Sequence, residues 1–223
     1  FYALKVGSDE KNLLRLGCGW NKKTPILLEH YAKVYSIDDD REIIENLKRV
    51  TKDVSGLQVC LSTHGEIPFY DEFFDVIISP RGPLLERPTL FQECFRVLKT
   101  SGYLIATFTG ERDLLEIKKA FGRGVNFFDG DYVESSNMKL EDFIRSVGGK
   151  MKTVMLKEFQ YKEAYDSSTD LIGLLESFPI IGDFSSQNPQ DFSALENYAA
   201  HNGSSEGIFV NRHVLFWVER RMG

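Results

Sequence analysis

The stretch Leu13-Leu14-Arg15-Leu16-Gly17-Cys18-Gly19-Trp20-Asn21 constrains this chain more than any other. An apolar run enters a glycine-rich turn. A helix-like segment follows, and then a second apolar run, Val34-Tyr35-Ser36-Ile37, which stops at Asp38. The order is strand, tight turn, helix, strand, acid. Glycines in the first turn let a ligand approach the backbone, because no Cβ stands in the way. A carboxylate about 20 residues on, at the tip of the next strand, can accept both hydroxyl protons of a ribose. The pattern implies nucleoside binding. A dinucleotide turn would carry a third glycine, and Trp20, Asn21, Lys22 and Lys23 supply none.

The rest of the chain repeats the alternation. Helices are expected at residues 24–32, 40–52 and 89–99, and strands at 57–61, 73–79 and 103–109. Leu27, Leu28 and Tyr31 give the first helix an apolar face. Ile43, Ile44, Leu47 and Val50 do so for the second. Beyond Gly110 the expectations are a helix over 111–121, a loop over 122–131 and a helix over 140–147. A strand over 151–161, helices over 170–177 and 191–201, and a strand over 208–220 complete the chain. Strands alternating with helices imply right-handed crossovers and a mostly parallel sheet. Ligands of such sheets sit beyond the carboxyl ends of the strands, where the strand order reverses. Gly17 to Asn21, Asp38, Ser62 to His64 and Ser79 to Arg81 all fall at such ends.

Three stretches in order resemble one family. They are the Gly17-Cys18-Gly19 turn with Asp38; Ile67-Pro68-Phe69-Tyr70-Asp71-Glu72-Phe73-Phe74-Asp75-Val76-Ile77-Ile78-Ser79; and Phe91-Gln92-Glu93-Cys94-Phe95-Arg96-Val97-Leu98-Lys99-Thr100-Ser101-Gly102-Tyr103-Leu104-Ile105. Together they resemble the class I S-adenosylmethionine-dependent methyltransferases, of the type 11 kind. The resemblance implies a Rossmann-like, doubly wound, mostly parallel seven-stranded sheet with an antiparallel C-terminal hairpin. Residues 162–207 would then be a helical insertion in that hairpin, acting as a lid over the site within one domain. It implies S-adenosylmethionine as cofactor, held by Gly17, Cys18, Gly19, Asn21, Asp38, Asp39, Thr63 and Ser79. The chain has Arg15 where the family often has an acid, Asn21 where it often has glycine, and Ser62-Thr63-His64 where an acid often meets the adenine.

Composition narrows the partners. A net charge of −6 argues against nucleic acid as substrate, since phosphate contacts call for a basic face. No run of about 18 apolar residues is present, so no membrane-spanning helix is expected. Cys18, Cys60 and Cys94 are too widely spaced for a zinc site or a disulfide framework, and no metal is expected. They read as reduced thiols of a cytoplasmic protein.

Methyl transfer from a sulfonium is an in-line displacement, so the protein's main work is positioning. A base is required only where the acceptor must lose a proton. His64 and Arg81 are the candidates on the acceptor side, against the alternative of polar residues in surface loops. His213 lies in an apolar strand and reads as a core or edge histidine. The favoured function is methyl transfer to a small molecule. The alternatives are a methyltransferase-like domain that binds without turnover, and a methyltransferase of protein or RNA.

Overall fold

The computed structural model of the chain describes residues 2–17, 24–62, 65–80, 84, 88–110, 112–121, 150–177, 181 and 184–223. Its elements are α1 (Tyr2–Val6), β1 (Ser8–Leu16), α2 (Thr24–Leu28), β2 (Tyr31–Asp38), α3 (Arg41–Val50), β3 (Leu57–Leu61), β4 (Phe74–Pro80), α4 (Pro88–Val97) and β5 (Leu98–Thr109). Then come α5 (Leu115–Phe121), β6 (Met151–Tyr165), α6 (Ser168–Ser177), α7 (Pro189–Asn202), β7 (Gly203–Ser204) and β8 (Gly207–Arg221). The sheet order is β3-β2-β1-β4-β5-β8-β6, with β7 paired to β8. This is the doubly wound sheet expected from the sequence, with a two-residue antiparallel strand added. Two compact units divide the chain: 1–108 with 142–157 and 216–223, and 109–141 with 158–215.

The first unit is built on β1. Leu13 pairs with Val34 of β2 and Val76 of β4, and Leu14 with Tyr35 and Ile77, all in parallel register. These side chains are buried on both faces of the sheet, as a central parallel strand requires. Leu13, Val34 and Val76 share a cluster with Ala3 of α1, Leu27 of α2 and Tyr31. Each such aliphatic side chain contributes roughly 1.5–3 kcal/mol on full burial. On α3, Ile44 and Leu47 pack against Val59 and Leu61 of β3. Asp40 caps the helix, accepting from the amides of Glu42 and Ile43 at 2.8 and 3.2 Å.

The structure differs from the sequence reading at several edges. Helix α2 stops at Leu28, and Tyr31 opens β2 as a buried strand residue. Ile43 and Val50 stay exposed, so the α3 face is narrower than its spacing predicts. Strand β5 begins at Leu98, directly after α4. It absorbs the turn by an irregular register against β4 and a left-handed Ser101 (φ 68°). Helix α5 begins at Leu115 because the chain first turns at Leu114 (φ 56°), whose amide bonds Asn211 O at 2.9 Å. Strand β6 runs on to Tyr165. The loop expected at 122–131 and the helix expected at 140–147 lie outside the described residues.

The second unit has its own core. Leu171, Leu174 and Leu175 of α6 and Leu195 and Tyr198 of α7 are buried with Leu114, Ile117, Ile208 and Val210. The helices of the 162–207 segment are thus built to pack. Beside this core Arg212 holds Asp113 at 2.8 Å and Glu163 at 2.6 Å. Asp113 Oδ1 also accepts the His213 amide at 2.8 Å. Removing one partner of such a buried pair strands the other charge, which costs far more than the pair gains.

Two glycines make opposite predictions. A Cβ on Gly102 would lie 2.9 Å from the carbonyl oxygens of Asp75 and Lys99, both backbone atoms that cannot yield cheaply. Gly102→Ala should lower stability by about 1–3 kcal/mol in urea unfolding. Gly173 sits inside α6 with nothing within 4 Å of its would-be Cβ. Gly173→Ala should raise stability by roughly 0.5–1 kcal/mol. A loss at position 173 would show that the glycine serves a bend rather than a plain helix.

Candidate functional site

The strand order reverses between β1 and β4: β1 leads outward to β2 and β3, and β4 leads the other way to β5. The crevice beyond the carboxyl ends of β1 and β4 is therefore the switch point. Three candidate residues fall there on neighbouring strands. Gly17 follows β1, and its amide donates to Ile37 O at 2.9 Å. Asp38 ends β2 one step further along. Ser79 stands near the end of β4, one residue past Ile78, which pairs with Arg15. Neighbouring strands lie about 4.8 Å apart, so the three occupy a span that one nucleoside covers.

Each has a local feature that suits a ligand. Gly17 has φ 78°, and among the described residues nothing stands within 4 Å of the position a Cβ would take. Its backbone is open to close approach and left-handed, which favours glycine. Asp38 Oδ1 accepts the Asp40 amide at 3.1 Å. That bond turns the chain away from the strand and leaves Asp38 half-buried at its tip. Ser79 is buried, and its hydroxyl makes no hydrogen bond among the described residues. A buried polar group without a partner is costly, so a hydroxyl so placed calls for one.

The loop after β3 is pinned beside Asp38. The Ser62 amide donates to Asp38 O at 2.8 Å, and the Ser62 hydroxyl to Glu66 O at 2.6 Å. Further on, Glu93 of α4 accepts the Ile67 amide at 3.0 Å, while Arg96 bonds the carbonyls of Ile67 and Phe69. Arg96 also lies 2.6 Å from Glu93 and 2.8 Å from Asp71. The Arg96 bond, helped by the Ile67 amide, outweighs the opposing effect of burial and holds the Glu93 carboxyl below its usual range. Behind the site, Tyr35 meets Phe69, Phe73 and Phe74 edge-on at 5.1–5.5 Å between ring centres.

Asp39 is exposed beside Asp38. Cys18, Gly19, Asn21, Thr63, His64 and Arg81 lie outside the described residues. Arg15 is buried on β1, in register with Ser36 and Ile78. Cys60 is half-buried and Cys94 fully so, and burial pushes both thiols up, Cys94 furthest. The sequence reading missed Ser36, whose buried hydroxyl also lacks a partner among the described residues. The signal was available: it is the single polar residue in Val34-Tyr35-Ser36-Ile37. Among the described residues no group of side chains could hold a metal ion. None of their helices is long and apolar enough to cross a membrane.

Residues 14–106 match the profile of a family described as a methyltransferase domain. That match covers the glycine turn, Asp38, the loop after β3, Ser79 and β5 as far as Ala106. These residues form a methyltransferase domain, and the protein is an S-adenosylmethionine-dependent methyltransferase. Its cofactor is S-adenosylmethionine. Solved structures share the methyltransferase's fold at low identity. YcgJ from Bacillus subtilis is 12% identical, with a TM-score of 0.63 over 100% of this chain and 99% of that one. A structure titled a putative methyltransferase from Bacillus halodurans is 13% identical, with a TM-score of 0.61 over 100% and 98%. One titled a SAM-dependent methyltransferase from Aquifex aeolicus is 18% identical, with a TM-score of 0.52 over 68% and 77%. No curated protein matches the chain in sequence.

A ligand that binds only the folded methyltransferase must stabilise it. S-adenosylhomocysteine at about 100 times its dissociation constant should add roughly 2.7 kcal/mol, read as a rise in melting temperature. A flat melting profile up to millimolar ligand would refute cofactor binding.

Proposed function

We propose that this methyltransferase transfers a methyl group to a small-molecule acceptor and does so mainly by positioning. The observation that carries the reading is the convergence of Gly17, Asp38 and Ser79 on the switch point. S-adenosylmethionine supplies an already activated methyl group, so no nucleophile of the protein is needed. In this reading the turn from Gly17 through Cys18, Gly19 and Asn21 admits the methionine end of the cofactor. Asp38, with Asp39 beside it, accepts the ribose hydroxyls. Thr63 is assigned to the adenine, and the buried Ser79 hydroxyl, unpartnered among the described residues, finds a partner in the ligand.

On the acceptor side, His64 and Arg81 are the candidates for contact with the substrate, Arg81 as a clamp for a carboxylate or phosphate. The helical segment 162–207 is proposed to select the acceptor and to keep water from the sulfonium. Its helices carry a buried core shared with Leu114, Ile117, Ile208 and Val210. Replacing the whole segment would therefore uncover that core, and point substitutions on its surface are the cleaner probe. The net charge of −6 supports a small molecule over nucleic acid.

Two substitutions two residues apart separate binding from folding. Asp38→Ala should remove roughly 1.5–3 kcal/mol of ribose contact, at least a tenfold loss in affinity for S-adenosylhomocysteine, with little change in the melting temperature of the free protein. Asp40→Ala should do the reverse, costing about 0.5–2 kcal/mol of stability through the lost helix cap and leaving affinity nearly intact. Calorimetry and thermal melting read both. Unchanged affinity in Asp38→Ala would move the ribose contact elsewhere. The acceptor class is tested by following a labelled methyl group from the cofactor into small-molecule, protein and RNA pools. Label entering only protein or RNA would overturn the small-molecule reading.

A further inference from the structure

The second unit contains a charged cleft of about 330 Å³ that the methyl-transfer reading does not use. It is lined by Arg112, Leu115, Gln160, Tyr161, Lys162 and His213, among others. His213 is its fixed point. Its ring is 4% exposed and lies flat against Gly110, where a Cβ would come within 2.3–2.5 Å of three ring atoms. The chain on both sides is tied down: the Gly110 amide donates to His213 O at 2.8 Å, and the His213 amide to Asp113 Oδ1 at 2.8 Å.

The tautomer follows from the hydrogen bonds. His213 Nδ1 accepts the Arg112 amide at 3.0 Å, so the proton of the neutral ring sits on Nε2. That Nε2 is buried and makes no hydrogen bond of proper geometry among the described residues. Glu158 Oε1 lies 2.9 Å away, out of line for a bond, so the contact is electrostatic. The Glu158 side chain is itself 53% exposed, and Gln160 Nε2 donates to the same oxygen at 2.9 Å.

The Glu158 carboxylate thus sits against the cleft's His213, on a tether, and Glu116 is a carboxylate of the lining itself. Gln160 first, then His213, with a smaller part from Arg112, hold the Glu158 carboxyl below its usual range. The other acids in and beside the cleft are already bonded. Asp113 and Glu163 hold Arg212, and Glu116 accepts the Asn211 amide. These fixed acids would oppose a dianion such as phosphate, whereas a single negative charge meets Arg112, Lys162 and the Nε2–H. Tyr161 and Leu115 offer apolar surface beside the donors.

We propose that this cleft binds the carboxylate of a small organic acid, with Glu158 as its built-in competitor. An incoming carboxylate takes the place of the Glu158 carboxylate against Nε2–H and meets Arg112 and Lys162 of the lining, and its apolar body lies on Tyr161 and Leu115. The assignment does not depend on which acceptor the methyltransferase uses.

The test is titration of the full chain with benzoate and, separately, with inorganic phosphate, followed by calorimetry and by the histidine ring signals in NMR. Glu158→Ala vacates the tethered carboxylate from an exposed position. It should bind benzoate at least about tenfold more tightly than the parent chain. Adding Lys162→Met should abolish that gain. Melting temperature and S-adenosylhomocysteine affinity, measured on each variant, keep the comparison to folded protein. Equal benzoate affinity in the parent chain and Glu158→Ala would overturn the proposal. So would no binding to either, or a preference for phosphate.

Discussion

Strand β1 must be buried on both faces, and most of the first unit follows from that constraint. Leu13, Leu14 and Leu16 are almost wholly removed from water, so β1 needs a strand on each side and packed layers above and below. Strands β2 and β4 take the two sides. The chain then continues outward in opposite directions from one central strand. A crevice at the carboxyl end of that strand is the geometric consequence. The site is therefore a product of hydrophobic burial before any residue is chosen for chemistry.

What the crevice contains is chosen by small departures from burial. Gly17 lacks a side chain where the preceding position carries leucine, and its left-handed φ of 78° ends the strand abruptly. Ser36 and Ser79 place hydroxyls where the pattern calls for valine or isoleucine, and both are left without a protein partner among the described residues. Asp38 stops an apolar strand, and Asp40 starts the next helix. Two acids two residues apart divide the tasks, because only Asp40 is placed to accept the amides of Glu42 and Ile43.

Much of this was legible because the first unit is written in local periodicity. A Val-Tyr-Ser-Ile-Asp run shows its own strand and its own end, and a capping aspartate shows its helix. The reading slipped where tertiary packing overrode the local signal. Tyr31 has helical spacing to Leu27 and Leu28, yet burial at the head of β2 decides its conformation. Tyr103 looks like the start of a strand after Ser101-Gly102, yet pairing with β4 draws in Leu98 as well. The second unit was less legible for a different reason. Its decisive contacts join Asp113 to Arg212 and Gly110 to His213, positions about a hundred residues apart whose pairing no periodicity announces. His213 could be read as a core residue from its apolar neighbours. That one of its nitrogens would be left without a well-aligned hydrogen bond among the described residues could not.

The two units also differ in how they use charge. At the switch point the described groups are a glycine, a serine and one half-buried acid. Such a set adds no fully buried charge, and its costly member is the Ser79 hydroxyl, which lacks a partner among the described residues. It is also enough for a reaction in which the cofactor arrives already activated and only geometry has to be imposed. The second unit instead buries Arg212 against Asp113 and Glu163, with His213 wedged beside them. Buried ion pairs of this kind are often no better for stability than apolar replacements. Their value here is orientation. With both of its acids engaged, Arg212 fixes Asp113, Asp113 fixes the His213 backbone, and Gly110 leaves the ring a single position. A ring held this rigidly presents Nε2 in one direction, so a polar network that adds little to folding can still define where a ligand's charge must sit.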